Sequence, residues 1–234
     1  MANAWFRFKQ FTIEQSQCAM KVGMDGVTLG AWAPVDGARR ILDIGTGTGL
    51  IALMLAQRAP AAQIDALEID PAAVAQAQQN VRASPWADRV RVHACALQAW
   101  QAAPYDLIVS NPPFFPPGLP SSSLARDQAR ATLTLTHDDL LQHALRLLAP
   151  AGCLALVWPC AVAERCRPTV AALGFSVQQQ VQLIPCPGKA PNRFLWLLSR
   201  DKHYESCSDL LIRTENGEYA NTYASMVAPF YLKL

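Results

Sequence analysis

No window of this chain approaches the ~18 apolar residues that a membrane-spanning helix needs. Its first ten residues set Arg7 and Lys9 among aromatics with no continuous apolar segment, so they do not read as a signal peptide, and a cytoplasmic protein without a membrane partner is expected. Charge is also scarce. With 16% charged residues, a net charge of +2 and a pI near 8.2, any nucleic-acid surface has to come from local clustering. No pair among the seven cysteines, at 18, 95, 153, 160, 166, 186 and 207, has Cys-x-x-Cys spacing, which weighs against zinc. Their odd number and scatter suit reduced thiols packed as small hydrophobes, and the lone His137 and His143 add no metal constellation. No metal is expected. Two nucleotide signatures are missing as well. The one glycine-rich turn lacks the Gly-Lys-Ser/Thr of a phosphate-binding loop, and its third glycine is Gly49 rather than residue 50, which breaks the dinucleotide pattern G-x-G-x-x-G and disfavours a nicotinamide-dependent dehydrogenase.

What is present is an apolar chain, 51% hydrophobic over 234 residues, enough for one substantial core with appended elements. Strands and helices alternate. Arg40 to Ile44 reads as a strand, Gly45-Thr46-Gly47-Thr48-Gly49 as a turn, and Leu50 to Ala59 as a helix ending before Pro60. Such a crossover lets backbone approach a ligand closely, because glycines interpose no Cβ. Ile64 to Asp70 is a second strand, followed by a helix over 71–82 with Pro71 at its first position. Glu68 lies 19 residues after Gly49, close to the ~20-residue offset at which an acid accepts from ribose hydroxyls. The plainer reading, a helix cap, suits Asp70 better, so Glu68 is expected to be the ribose ligand.

Leu107 to Val109 reads as a central buried strand, stopped by Pro112-Pro113, which leaves Asn111 at its carboxyl end, the edge where open α/β sheets bind ligands. The Asn111 side-chain oxygen and the Pro112 carbonyl are two fixed acceptors that match the hydrogens of a planar amino group. Phe114 offers a flat face for an unstacked base. A strand end followed by a proline loop is the blander alternative.

Beyond this point a helix is expected over 138–148, closed by Pro150 and Gly152. Strands follow at 153–158 and 175–184 around a helix at 161–173, then a returning antiparallel strand at 193–200. The tail from Leu210 holds a short strand and a helix over 219–228. Arg126 and Arg130, four apart, share a helical face if that segment is helical. Lys189 and Arg193 belong to a basic cluster, and Arg7 and Lys9 share a face of a period-two segment over 6–13. All six are candidate phosphate contacts, with ordinary solvated charge as the alternative.

Two motifs resemble known ones. Asp43-x-Gly45-x-Gly47-x-Gly49 resembles motif I of class I S-adenosylmethionine-dependent methyltransferases, and Asn111-Pro112-Pro113-Phe114 resembles motif IV of amino-methyltransferases. The segments Phe8-Lys9-Gln10-Phe11, Cys18 to Gly23, Asp25-Gly26 through Trp32, Ser84-Pro85-Trp86-Ala87, Gln128-Ala129-Arg130 and Ala228 to Leu232 extend the similarity. They carry it to the bacterial valine-tRNA adenine-N6-methyltransferase family over essentially the whole chain. Ala96 departs from that pattern, standing where an acid that meets the cofactor adenine is usual.

The resemblance implies a Rossmann-like α/β fold with a seven-stranded, mostly parallel sheet, one antiparallel strand and helices on both faces. Residues 1–38 would form an extension over the cofactor site, and 39–234 the methyltransferase domain. It implies S-adenosylmethionine as cofactor, with Lys21, Asp25, Asp43, Gly45, Gly47, Gly49 and Glu68 around it. Asn111, Pro112, Pro113 and Phe114 would perform catalysis, and tRNA would be the substrate of a monomer or weak dimer. A release-factor glutamine or an rRNA guanine N2 as methyl acceptor, and a non-catalytic RNA-binding module of the same fold, stay open as alternatives.

Overall fold

Eight strands form one sheet in the computed structural model, which describes residues 3–112, 135–201 and 206–233. Along the chain the elements begin with a two-stranded antiparallel hairpin, β1 (Trp5–Arg7) and β2 (Thr12–Glu14), and helix α1 (Met24–Trp32). They continue with β3 (Arg40–Ile44), α2 (Leu50–Arg58), β4 (Gln63–Glu68), α3 (Pro71–Arg82), β5 (Val90–Ala94) and β6 (Tyr105–Ser110). After residue 134 come α4 (His137–Leu147), β7 (Leu148–Pro159), α5 (Cys160–Ala172), β8 (Ser176–Ile184), β9 (Arg193–Ser199), β10 (Ser206–Leu211) and α6 (Asn221–Val227).

The sheet order is β10-β8-β9-β7-β6-β3-β4-β5, and β9 alone runs antiparallel to its neighbours β7 and β8. Seven strands were expected, and the eighth is β10, which pairs in parallel with β8 from Ser206↔Gln179 to Leu211↔Ile184. Only Leu210 of that strand is buried, so its hydrophobic pattern gives little sign of the pairing. The backbone groups of β8 would otherwise stand unpaired along a sheet edge, and β10 satisfies them.

Strand alternation splits the core in two. Ile41, Leu107, Val109, Val157 and Leu195 face α1, α2 and α6, whereas Leu42, Ile44, Ile108, Leu156 and Trp196 face α4 and α5. Helix α4 starts on a Thr136–Asp139 capping box and ends at Leu147, so Pro150 and Gly152 do not close it. Both lie inside β7, which runs straight on from the helix. The hairpin is tied down by the buried Asn80 of α3. Its Oδ1 accepts from the Glu14 amide at 2.9 Å, and its Nδ2 donates to the carbonyls of Glu14 and Thr48, each at 2.8 Å. One side chain thus joins the hairpin to the glycine turn.

Helix α1 lies on α2 through two small residues one turn apart. A Cβ on Gly26 would meet Leu50 at 3.2 Å, and one on Gly30 would meet the Met54 sulfur at 2.8 Å and its Cβ at 3.0 Å. Arg58, at the end of α2, donates to the carbonyls of Gly30 and Ala33 at 3.0 and 2.7 Å and so satisfies the C-terminus of α1. On its far side the Thr28 hydroxyl lies 3.2 Å from the Tyr223 hydroxyl of α6.

Candidate active site

Pairing register sets the site. Ile44 opposes Leu67 on one side and Ser110 on the other, so the residues one step further, Glu68, Gly45 and Asn111, stand side by side at the carboxyl ends of β4, β3 and β6. Adjacent strands are ~4.8 Å apart, which brings the turn, the acid and the amide within reach of a single ligand.

Backbone makes the left part of this row. Gly45, Gly47 and Gly49 have φ of 70°, 56° and 84°, a region that side-chain-bearing residues rarely enter, and Gly49 also caps α2. Their amides are largely committed: Gly45 and Thr46 donate to the Leu67 carbonyl at 2.9 Å, and Gly49 to that of Thr46. Glu68 Oε2 accepts from the Gly47 amide at 2.9 Å, while Oε1 accepts from the Ile69 and Asp70 amides at 2.8 and 3.0 Å. These bonds orient the carboxylate and leave one lone-pair position on Oε2 unused among the described residues. Asp70 caps α3 by accepting from the Ala73 amide at 2.8 Å, as expected for that acid.

Asp43 lies beneath the turn, fully buried. Its Oδ2 accepts from the Thr46 hydroxyl at 2.6 Å and the Ala52 amide at 3.2 Å, and its Oδ1 has no partner. Burial raises its pKa to about 7, against the lowering effect of those two bonds, and the Glu68 charge adds to the rise. Asp43 therefore holds the turn in shape from below.

Asn111 follows the alternation of Leu107 and Val109 and lies on the face that carries α1. A Cβ on Gly26 would come within 3.7 Å of its Nδ2, so the first turn of α1 roofs it. Its Oδ1 is buried and makes no hydrogen bond among the described residues. A buried amide oxygen without a donor costs free energy, and an N–H brought by a ligand would satisfy it. Pro112, also buried, follows directly. Pro113, Phe114, Arg126 and Arg130 lie outside the described residues.

The other expected site residues are more dispersed. Lys21 donates to the Gln15 carbonyl and closes the loop between the hairpin and α1. Asp25 makes an ion pair with Arg193 at the start of β9, Nε to Oδ2 2.9 Å, each side chain about 30% exposed. This pair joins α1 to a strand two places from β6 and borders a cleft of about 190 Å³ lined by Met24, Asp25, Leu183, Pro185, Asn192, Arg193 and Ile212. Lys189 is exposed in the turn before β9. Strand β1 ends at the exposed Arg7, so Lys9 falls in the hairpin turn rather than on the same strand face, and its amine donates to the Ala228 carbonyl at 2.7 Å. Arg213, to which the sequence gave no distinguishing mark, sits just past β10 at the same sheet edge, 4.5 Å over the Tyr219 ring. Among the described residues no group of three or more His, Cys, Asp or Glu side chains is arranged to hold a metal, and no helix is long and apolar enough to cross a membrane.

This geometry agrees with what the chain is similar to. The methyltransferase small domain family matches residues 31–166. Similar folds include a predicted O-methyltransferase from Agrobacterium tumefaciens, with a TM-score of 0.69, 16% identity and coverage of 88% of this chain and 96% of that one. A ribosomal protein L11 methylase from Lactobacillus delbrueckii subsp. bulgaricus has a TM-score of 0.57 at 16% identity, covering 81% and 84%. A tRNA1(Val) (adenine(37)-N6)-methyltransferase from Aeromonas hydrophila is 48% identical over 233 residues, 99% of each chain, and one from Tolumonas auensis is 47% identical over 98% and 97%. With an orphaned acceptor at the tip of β6 beside a glycine turn and an oriented acid, and with identity of this order along its whole length, the chain belongs to the tRNA1(Val) (adenine(37)-N6)-methyltransferase family.

Proposed function

We propose that this S-adenosylmethionine-dependent methyltransferase acts on N6 of adenine 37 in a valine tRNA, the position its relatives are named for, as a cytoplasmic monomer or weak dimer. The observation that carries this reading is the buried, unpartnered Oδ1 of Asn111 beside Gly45. An exocyclic amine has two N–H donors, and Asn111 Oδ1 with the Pro112 carbonyl provides two acceptors at a backbone that successive prolines keep from rearranging.

The residues present fit the cofactor. Glu68 would accept from its ribose, Gly45, Gly47 and Gly49 would line its approach without side chains, and Asp43 would keep that turn in place. Lys21 would close the adjoining loop, and residues 1–38 would cover the bound molecule. When bound, S-adenosylmethionine supplies a methyl group made electrophilic by the attached sulfonium. The protein's share of the chemistry is then position and charge. Asn111 and Pro112 would hold the amine in one orientation, which would convert an encounter into an aligned displacement. As N6 becomes more positive, the same two acceptors would bind it more strongly than in the ground state, which would lower the barrier; a neutral thioether would leave with the cofactor and the surplus N6 proton would pass to water. Phe114 would hold the ring face to face, and Arg126 and Arg130 would take phosphates, on the evidence of their sequence positions. Asp25, expected beside the cofactor, is read here on the substrate side, where its carboxylate meets Arg193.

The test is transfer of a tritiated methyl group from labelled cofactor to bulk tRNA, rRNA or total protein, followed by digestion of whichever is labelled. N6-methyladenosine from valine tRNA is the expected product. Methylglutamine or N2-methylguanosine in its place would reassign the acceptor, and binding of tRNA without transfer would leave only an RNA-binding module.

A further inference from the structure

The lining of the cleft between α1 and the ends of β8 and β9 includes none of the glycine turn, Glu68, Asn111 or Pro112. Its walls are apolar, from Met24, Leu183, Pro185 and Ile212, and its rim carries Asp25 and Arg193. Apolar walls with a few convergent polar groups are what a flat heterocycle with a charged substituent requires. Its place is informative too. Asp25 is the neighbour of Gly26, which lies against the Asn111 amide, so the cleft opens one residue away from the roof of the acceptor site. On the strand side Arg193 opposes both Pro159 of β7 and Leu183 of β8, at the same edge as Asn111.

We propose that this cleft takes the nucleotide next to the methylated adenosine, and that Arg193 releases Asp25 to bind the intervening phosphate. The inference rests on the RNA substrate of the preceding section. An ion pair exposed to this degree is worth little by itself, and a guanidinium fits a phosphate with two parallel hydrogen bonds at least as well as it fits a carboxylate. Asp25 acts in this scheme as a placeholder that keeps the arginine extended along the cleft until RNA arrives. Lys189 in the preceding turn and Arg213 at the tip of the next strand extend positive charge along the same edge, which favours a nucleic-acid strand over an uncharged ligand.

Exchange makes a prediction of unusual sign. With a synthetic anticodon stem–loop of valine tRNA and full-length protein, fluorescence polarisation across a salt series gives Kd and its salt slope. Arg193→Ala should raise Kd about tenfold and flatten the plot of log K against log salt by about 0.7, one single-strand phosphate contact. Asp25→Asn should tighten binding several-fold at low salt, and the double variant should match Arg193→Ala alone. Thermal melting and cofactor affinity of each variant report whether α1 stays seated. Weaker RNA binding by Asp25→Asn with an unchanged melt would overturn the exchange, as would a wild-type Kd and slope for Arg193→Ala. If Asp25→Asn does not fold, Arg193→Lys decides: retention of the salt slope with loss of affinity supports a phosphate fork, and unchanged affinity overturns it. A wild-type protein that neither binds the stem–loop nor methylates any RNA would instead refute the function on which this inference rests.

Discussion

The two halves of the sheet edge hold their ligand-facing groups by different means. On β3 and β4 the structure is made of backbone. Positive-φ glycines, amides bonded to the Leu67 carbonyl and a carboxylate fixed by three amides all lie between Asp43 and Asp70. On β6 and the strands beyond it the structure is made of side chains drawn from distant positions, with Asp25 meeting Arg193 across 168 residues and Gly26 roofing Asn111. A near-invariant chemical handle, the cofactor, suits the rigid half. On the reading proposed above, the variable part of the substrate would meet groups whose partners can be exchanged.

Mutations that separate the halves test this contrast. The largest effect is expected for Asn111→Ala. Single-turnover transfer of labelled methyl should fall by roughly 10²–10³-fold, the usual loss for one preorganised partner of the transition state, while calorimetric cofactor affinity stays near wild type. Equal turnover would remove Asn111 from the mechanism. Gly47→Ala should give the opposite signature. Forcing a Cβ into the left-handed region costs about 1–2 kcal/mol, so cofactor Kd should rise roughly tenfold, with turnover at saturating cofactor lowered much less. An Ala variant that binds normally would show that the turn is not held in its present shape during binding.

The third test concerns Asp43, whose pKa is raised from 3.8 to about 7 by burial. An acid that is easier to protonate in the folded state adds stability that is complete below about pH 4 and is lost as pH climbs through about 7. Urea unfolding of wild type minus that of Asp43→Asn should therefore decline between those values, by on the order of a few kcal/mol, and level off above them. A flat difference would mean that the carboxyl ionises without penalty. The smallest effect is expected for Gly30→Ala. Crowding Met54 costs about 1–3 kcal/mol, which outweighs the gain of up to ~1 kcal/mol in helix propensity. The melting temperature should drop by a few degrees, with both RNA and cofactor affinity weakened slightly because α1 is displaced.

The same contrast explains what could be read from the sequence. Strand, turn and helix over 40–58 and the acid at the end of β4 are local patterns, and residue types with one dominant use at such places announce themselves. Asn111 was legible because two prolines end its strand. The roles of Gly26 and Gly30 were not, since a glycine that admits a neighbouring helix looks the same in sequence as one that breaks its own, and only Leu50 and Met54 facing them distinguish the cases. Arg193 and Lys9 were recognisable as cations, but their partners, Asp25 and the Ala228 carbonyl, are set by tertiary contacts. Strand β10 was hidden for a similar reason: four of its six side chains are exposed, and backbone pairing to β8 is what makes it a strand.

A clasp ties the first hairpin to the residues that follow α6. Lys9 donates its backbone amide to Phe230 and its amine to Ala228, 219 positions away, and Tyr223 braces Thr28 on α1. During synthesis on the ribosome, the helix above Asn111 therefore waits for residues 223–230 before it can settle. A nascent chain that has already completed its glycine turn still lacks the brace for its acceptor pocket, so methylating competence should emerge only once residues 223–230 have left the ribosome.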